Sequence, residues 1–434
     1  MSTPVTWALL GLVAGGAGVA ALLGLSWMFG IMPHEKSVTR LSAVVHLLMV
    51  VALVVVGRAL WSSPDARLAL DLGSWFAVGH YEFPLTLAID RVSFPLVALT
   101  VVLSGVIGHF SSTYLHREAG LLRFFVMLEI FTSGAVLAFS AGSLDLLIAG
   151  WELVGITSVL LVSFFYERPE PVDGAVHVFT VYRATDVGLL SAVVLLHLSI
   201  GHAELPLTAD GLSQGTALLV AGLLLLSAAG KSAQVPFSGW LPRAMEGPTP
   251  SSAIFYGAIS VHLGAYLLLR LQPLLDMVPV LRGVIVVLGL LTALHGTLAG
   301  RVAADAKTQL AHAALSQLGL IVVEAGLGFT LLATLHIVGH ACVRTLQFLR
   351  APSMLHDHHQ MHAAVGGHLS ETGTHLSRSI PAGVQQWLFR LAMDRGHLDT
   401  LLSRAVIEPV EALSRMLGRV DRWTAPSAKG GRHV

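Results

Sequence analysis

A single cysteine, Cys342, in a chain of 434 residues excludes an intrachain disulfide and any cysteine-built zinc or iron–sulfur centre. Charge is scarce as well. Asp, Glu, Lys and Arg make up 12% of the residues, and 26 acids balance 26 bases, so no net charge draws nucleic acid or an acidic partner. No Gly-rich nucleotide loop stands between a strand and a helix, and no closed set of zinc ligands is spaced along the chain. No signal-peptide cleavage pattern follows the first apolar run, Val5 to Gly30. The sequence therefore reads as a non-enzyme, whose chemistry would have to sit on a partner. Apolar residues, by contrast, are abundant. They account for 54% of the chain, and the mean hydropathy is +0.73, the composition of a polytopic membrane protein.

About eleven runs reach the length of roughly 20 residues that a helix needs to cross the hydrocarbon core. They lie near 5–30, 41–61, 92–112, 121–141, 144–166, 175–199, 216–240, 251–271, 280–300, 307–327 and 329–349. The expected fold is an all-α transmembrane bundle. The longest interruption, 62–91, alternates apolar and polar residues around a Gly-Ser break and reads as an extra-membrane hairpin. Short loops after odd-numbered spans hold Lys36 and Arg40, Arg117 and Arg123, Arg243 and Arg301, which places the N-terminus outside and the C-terminus in the cytoplasm. The loop "ERPEPVDG" fits this less well, with three acids against Arg168, but acids count little in that rule. Residues 351–380 are polar and His-rich. From Val384 to Trp423, Val410, Leu413, Leu417 and Val420 recur at helical spacing between Arg415, Arg419 and Arg422, an amphipathic pattern suited to a membrane surface or a docked partner.

The informative residues are charges inside the spans. Glu152 sits near the middle of "SLDLLIAGWELVGITSVLLVSFFYE", where a charge costs roughly 2.5–3.5 kcal/mol on insertion scales. Arg183 and Asp186 are three apart on one helix face. Lys231 precedes Pro236 in "AAGKSAQVPFSGW", the signature of a broken helix that places a charge beside freed backbone groups. Lys307 and His312 lie on the tenth span. His336, His340 and Arg344 follow at i, i+4 and i+8, a stripe about 12 Å long. Buried ion pairs that merely glue helices would explain some of these, Arg183 with Asp186 above all. Glu, Lys, His and Arg strung across several helices instead read as a relay that carries protons through the bilayer midplane.

Four stretches, "GWELVGITSVLLVSFFY", "VYRATDVG", "GKSAQVPFSGWLPRAMEGPTPSSA" and "DAKTQLAHAALSQLG", resemble the antiporter-like subunits of complex I and of Mrp antiporters, nearest to the NuoL type, over roughly residues 70–350. The resemblance implies two inverted repeats, each with a discontinuous helix, after a few leading helices. It makes Glu152 the fifth-helix glutamate, Lys231 the broken-helix lysine that interacts with it, and Lys307 the central lysine. His336 and His340 become the histidines linking the half-channels, and Arg183 and Asp186 the charged pair of the sixth helix. Three departures stand out. Tyr256 occupies the place of an eighth-helix histidine, with His262 one and a half turns on. Arg344 replaces a lysine, and arginine does not give up its proton. The second repeat stops after span eleven, without its own broken helix.

The expected organisation is 1–120 for the leading helices and hairpin, 121–271 for the first repeat, 277–350 for a partial second repeat and 351–434 for the cytoplasmic tail. The tail piece "RGHLDTLLSRAVIEPVEALSRML" resembles a stretch far along full-length NuoL subunits, which suggests spans lost from the middle. A shortened NuoL-like chain with "FLRAPSMLHDHH" after its last span resembles the DabB subunits of DabAB inorganic-carbon uptake systems. That likeness implies a cation-conducting subunit of a bacterial inner membrane, coupled to a DabA-like, zinc-containing, carbonic-anhydrase-like cytoplasmic partner. The alternative is a proton-pumping subunit of a respiratory NADH–quinone complex or an Mrp-type antiporter. His356, His358, His359 and His362 with Asp357 match no closed zinc site, and a polar juxtamembrane loop is the simpler reading.

Overall fold

A computed structural model of the chain describes residues 2–79, 81–208, 210–365, 380–398, 400 and 403–424. It is a helical membrane bundle. Thr3–Met28 (α1) and Glu35–Ser62 (α2) lead into a hairpin of Arg67–Val78 (β1) and Tyr81–Asp90 (β2). Ser93–Tyr114 (α3), Leu121–Phe139 (α4), Leu144–Val162 (α5), Pro169–Ile200 (α6) and Gln214–Lys231 (α7) follow. After a break come Trp240–Arg243 (α8), Thr249–Ser251 (α9), His262–Arg270 (α10) and Gln272–Met277 (α11). Pro279–Gly300 (α12), Ala306–Gly326 (α13) and Thr330–Val365 (α14) complete the bundle, and Ala382–Met393 (α15) and Glu408–Thr424 (α16) form the tail.

Local chemistry sets these limits. Ser143, Ser213 and Asp305 cap α5, α7 and α13 by accepting backbone N–H bonds from Leu146, Thr216 and Thr308. Pro169 opens α6 and Gly201, with φ of 81°, closes it. Among the described residues, nine helices are long and apolar enough to span a membrane, α1 to α7, Thr249–Arg270 and α12. This differs from the expected eleven. The tenth and eleventh segments form α13 and α14, but Lys307, Gln309, His312 and Gln317 dilute the first, and His336, His340 and Arg344 the second.

The segment 62–91 folds as a two-stranded antiparallel sheet, with Arg67 opposite Asp90 and Val78 opposite Tyr81. Its second strand clamps the α4–α5 turn: Ala88 N–H donates to the Ser140 carbonyl and Gly142 N–H to the Thr86 carbonyl, both at 2.7 Å. Asp90 pairs with Arg270 at the end of α10 and accepts the Val92 and Ser93 amides. Burial pushes the Asp90 carboxyl up, but Arg270 and those amides outweigh it and hold it below the usual carboxylate range.

Between helices, small residues set the spacing, since lipid-facing apolar surface gives no reason for helices to prefer each other over lipid. A Cβ on Gly150 would lie 2.5 Å from both Ala138 N and Gly134 O, so α4 and α5 touch backbone to backbone. Gly289 and Gly319 do the same for α12 and α13. Gly150→Ala therefore costs about 1–3 kcal/mol of overpacking, more than the roughly 1 kcal/mol alanine gains in helix propensity. Thermal unfolding in detergent should show this loss, while Gly18→Ala, with nothing within 4 Å of its added Cβ, should leave the midpoint in place or raise it.

Candidate functional site

Three helices bring four charges together. Glu152 projects from α5, Arg183 and Asp186 from α6, and Lys231 from the last turn of α7. The Arg183 guanidinium donates to Glu152 and, at 2.9 Å, to Asp186 Oδ2. Trp151 Nε1 donates to the other Asp186 oxygen at 2.7 Å. Lys231 is fully buried. Its ammonium donates to the Trp151 carbonyl at 3.2 Å and lies over the rings of Tyr182 and Trp151 at 4.3 and 4.8 Å. Glu152 thus makes its direct contact with Arg183, while Lys231, with which the family resemblance implied an interaction, feels its charge without a hydrogen bond to it. The reason is geometric: one guanidinium nitrogen, Arg183 Nη2, reaches both carboxylates, whereas the Lys231 ammonium lies in the space left by Gly155, 3.1 Å from where a Cβ there would stand.

With all four groups ionised the cluster is neutral, the condition under which charges are tolerated in low dielectric. A cavity of about 70 Å³ opens beside Glu152, Arg183, Phe179 and Tyr182, room for water next to the carboxylate. Lys231 ends α7, where unpaired carbonyls favour a cation. The break after it is held by Trp240, whose indole donates to the Gly230 carbonyl at 2.9 Å. Tyr182, Trp240 and Tyr256 then stack edge to face at 5.1 and 5.7 Å. Tyr256 lies in a π-helical segment, Ser252–Ala258, which nothing in the sequence pattern announces.

A second cluster joins α10 to α14. His262 Nδ1 lies 2.6 Å from the Ala258 carbonyl, which can only accept, so this nitrogen carries a hydrogen. In neutral His262, Nε2 then accepts from His340 Nδ1 at 3.0 Å, and His340 Nε2 faces Arg344 Nε at 3.5 Å. The three bonds run in one direction. His336 continues the line, 6.5 Å from the His340 ring, and bonds Glu324 at 2.9 Å and Gln317 at 3.0 Å. Lys307 lies elsewhere: it donates to the Met245 and Gly247 carbonyls, each at 2.8 Å, beneath the broken helix. His312 is buried with its ring 6.4 Å from that of His295. The cluster of His356, Asp357, His358, His359 and His362 lies outside the residues whose side chains are described.

The sequence reading passed over three groups. Glu129 is completely buried on α4, and its place inside "FFVMLEIFTSG" is the signal that singled out Glu152. Asp145, at the start of α5, accepts from Tyr81 at 2.9 Å and faces His197 Nε2 at 3.0 Å, a junction made by tertiary packing alone. Burial, then the Asp145 contact, pushes Tyr81 up to about 12, so the phenol stays a donor at neutral pH. Glu324, on α13, meets His336 across the α13–α14 turn.

Comparison with known proteins decides the family. The model for NADH:quinone oxidoreductase/Mrp antiporter, TM, matches residues 141–376, and that for the N-terminus of complex I chain 5 matches 75–125. The chain belongs to this family of antiporter-like membrane subunits. It is 33% identical over 290 residues to NADH-quinone oxidoreductase subunit L of Campylobacter jejuni, covering 66% of this chain and 48% of that protein. It is 29% identical to subunit 5 of the NAD(P)H-quinone oxidoreductase of Paulinella chromatophora, over 76% of this chain and 51% of that one. A chain of the Mrp complex from Dietzia superposes with a TM-score of 0.69 at 26% identity, over 79% of this chain and 37% of the other. This antiporter-like subunit spans about half the length of the curated relatives it matches.

The Trp151 indole is a structural test of the cluster. Trp151→Phe keeps the carbonyl and an aromatic face for Lys231 but removes the donor to Asp186, a hydrogen bond to a charged group worth about 1.5–3 kcal/mol. The thermal midpoint should fall accordingly, and an unchanged midpoint would mean that Asp186 is held by Arg183 alone.

Proposed function

We propose that this chain is the proton-translocating, antiporter-like membrane subunit of a larger complex in a bacterial inner membrane. The observation that carries this reading is the neutral four-charge cluster at the break in the membrane helix. A proton arriving at Glu152 cancels its charge and weakens the Arg183 Nη2 contact to it, leaving the same nitrogen on Asp186. The cluster is then one positive charge in excess, and loss of a proton from Lys231 restores neutrality. From Lys231 the path continues past Tyr256 to His262, His340 and His336. Arg344 keeps its charge throughout and orients His340 rather than passing a proton. Lys307 serves a separate access beneath α8. The family to which the chain belongs supports translocation rather than catalysis. The respiratory and Mrp relatives favour energy supplied by redox chemistry or by a counter-ion, with partner subunits in either case.

A narrower reading couples the ion gradient to uptake of CO2 as bicarbonate, as the DabB resemblance implies. One observation favours it: α14 runs on to Val365, into the polar stretch that starts at 351, and further along the chain α15 packs against α12 and Ser403–Ile407 against α6. The exposed faces of α15 and α16, with Trp387, Phe389, Leu413 and Leu417, would receive the zinc-bearing cytoplasmic partner.

The subunit reconstituted with whatever co-purifies from native membranes should dissipate an imposed pH gradient. Glu152→Gln, nearly isosteric, should slow that flux at least about tenfold, a loss near 1.4 kcal/mol. Unaltered flux in a stably inserted variant would leave the charges as helix glue. Mass identification of the co-purified chains separates the two settings: flavin- and iron–sulfur-bearing subunits mean a respiratory complex, and one large zinc-containing subunit means carbon uptake.

A further inference from the structure

Glu129 lies on the face of α4 turned away from the four-charge cluster. Gly134 and Ala138 meet α5, whereas Glu129 and Ser133 meet α1, about 140° round the helix at 100° per residue. Ser133 Oγ accepts the Ala17 amide at 2.6 Å, and a Cβ on Gly16 would lie 3.1 Å from Glu129 Oε2, so α1 is pressed against the carboxyl. Across the seam, Ser42 Oγ donates to Glu129 Oε1 at 2.5 Å, and His46 Nδ1 stands 3.6 Å from the same oxygen. Glu129 and His46 are 0% and 4% exposed.

The hydrogen bonds fix where a proton can go. His46 Nδ1 lies 3.0 Å from the Ser42 carbonyl, so Nδ1 carries a hydrogen. Its other nitrogen, Nε2, is buried without a partner, and so is Glu129 Oε2. One dissociable proton therefore has two places to sit, and occupying either breaks no existing bond. A bare carboxylate with one donor, or a bare imidazolium, is costly in this surrounding, so the two groups titrate as a unit. Their neighbours on the other packed helices are uncharged: Gly16 and Ala17 on α1, Gly105 and Gly108 on α3, and Ser133 on α4 itself. Ser104, one turn from Gly108 on α3, adds a further unpartnered buried hydroxyl. An alkali cation would ask for several oxygen ligands and no imidazole.

We propose that Glu129 and His46, anchored by Ser42, form a second proton-binding site at the seam where α1, α2 and α3 meet α4. It is separate from the Glu152 network, since α4 stands between them. Protonation there bears on how the leading helices grip the first repeat.

Acid-minus-base infrared difference spectra of the full chain in lipid vesicles test this directly. Glu129→Gln should remove one carboxyl C=O band with the amide bands unchanged, and His46→Gln should keep that band but displace its titration midpoint. Identical spectra for wild type and Glu129→Gln would overturn the proposal. Should Glu129→Gln fail to insert, Ser42→Ala leaves both titrating groups in place and should shift the band, and an unshifted band would overturn it. A band that responds to sodium at constant pH would overturn it too, by making the ligand an alkali cation. Lys231→Ala should lower proton flux and leave this band intact, which keeps the site distinct from the translocation reading. Loss of the band in that variant would contradict the separation.

Discussion

The rest of the membrane interior depends on one guanidinium held between two carboxylates. Arg183 joins Glu152 of α5 to Asp186 of its own helix, and together with Lys231 they sum to zero charge. No three of these groups would be neutral, and an unbalanced charge in low dielectric costs several kcal/mol. The helices must therefore come close enough for side chains to meet, and glycines allow it. A Cβ on Gly188 would lie 2.3 Å from the Leu223 carbonyl, and one on Gly230 would lie 2.1 Å from Thr185 Oγ1. α6 and α7 are thus drawn together on either side of the cluster.

The broken helix gives the balance a way to change. Because α7 stops at Lys231, the ammonium sits at a helix end, among carbonyls and aromatic faces rather than against a carboxylate. A lysine without a direct anionic partner can lose its proton at less cost than one locked in an ion pair. In the proposed mechanism the Glu152–Arg183 contact answers that loss, because Asp186 keeps its bond from Trp151 when Glu152 lets go. The histidine line from His262 to Arg344 differs in character: its hydrogen bonds point one way and end on the Ala258 carbonyl. A proton entering there must reorient the imidazoles before the next can follow.

Much of this was legible in the sequence because charge in an apolar run is loud. Glu152, Lys231, Arg183 with Asp186, and the i, i+4, i+8 stripe on α14 all declared themselves by composition and spacing. Pro236 announced the break. Partner choice did not declare itself. Whether Glu152 meets Lys231 or Arg183 depends on side-chain reach across three helices, and no periodicity encodes that. The π segment around Tyr256 was silent too: its neighbours, Phe348 beside Gly257 and the Ser158 carbonyl that accepts from Tyr256, come from distant helices. Glu129 carried the same signal as Glu152 but lacked a neighbouring motif, and only the fold brings His46, 83 residues earlier, beside it.

In the proposed mechanism Glu152 and Lys231 act as one switch, although no hydrogen bond joins them. A double-variant cycle on proton flux tests it most directly, with Glu152→Gln, Lys231→Met and the pair compared in the same vesicles. Acting as a unit, the two changes together should slow flux no more than the worse single change. Losses that multiply would contradict the account and make the two residues independent steps.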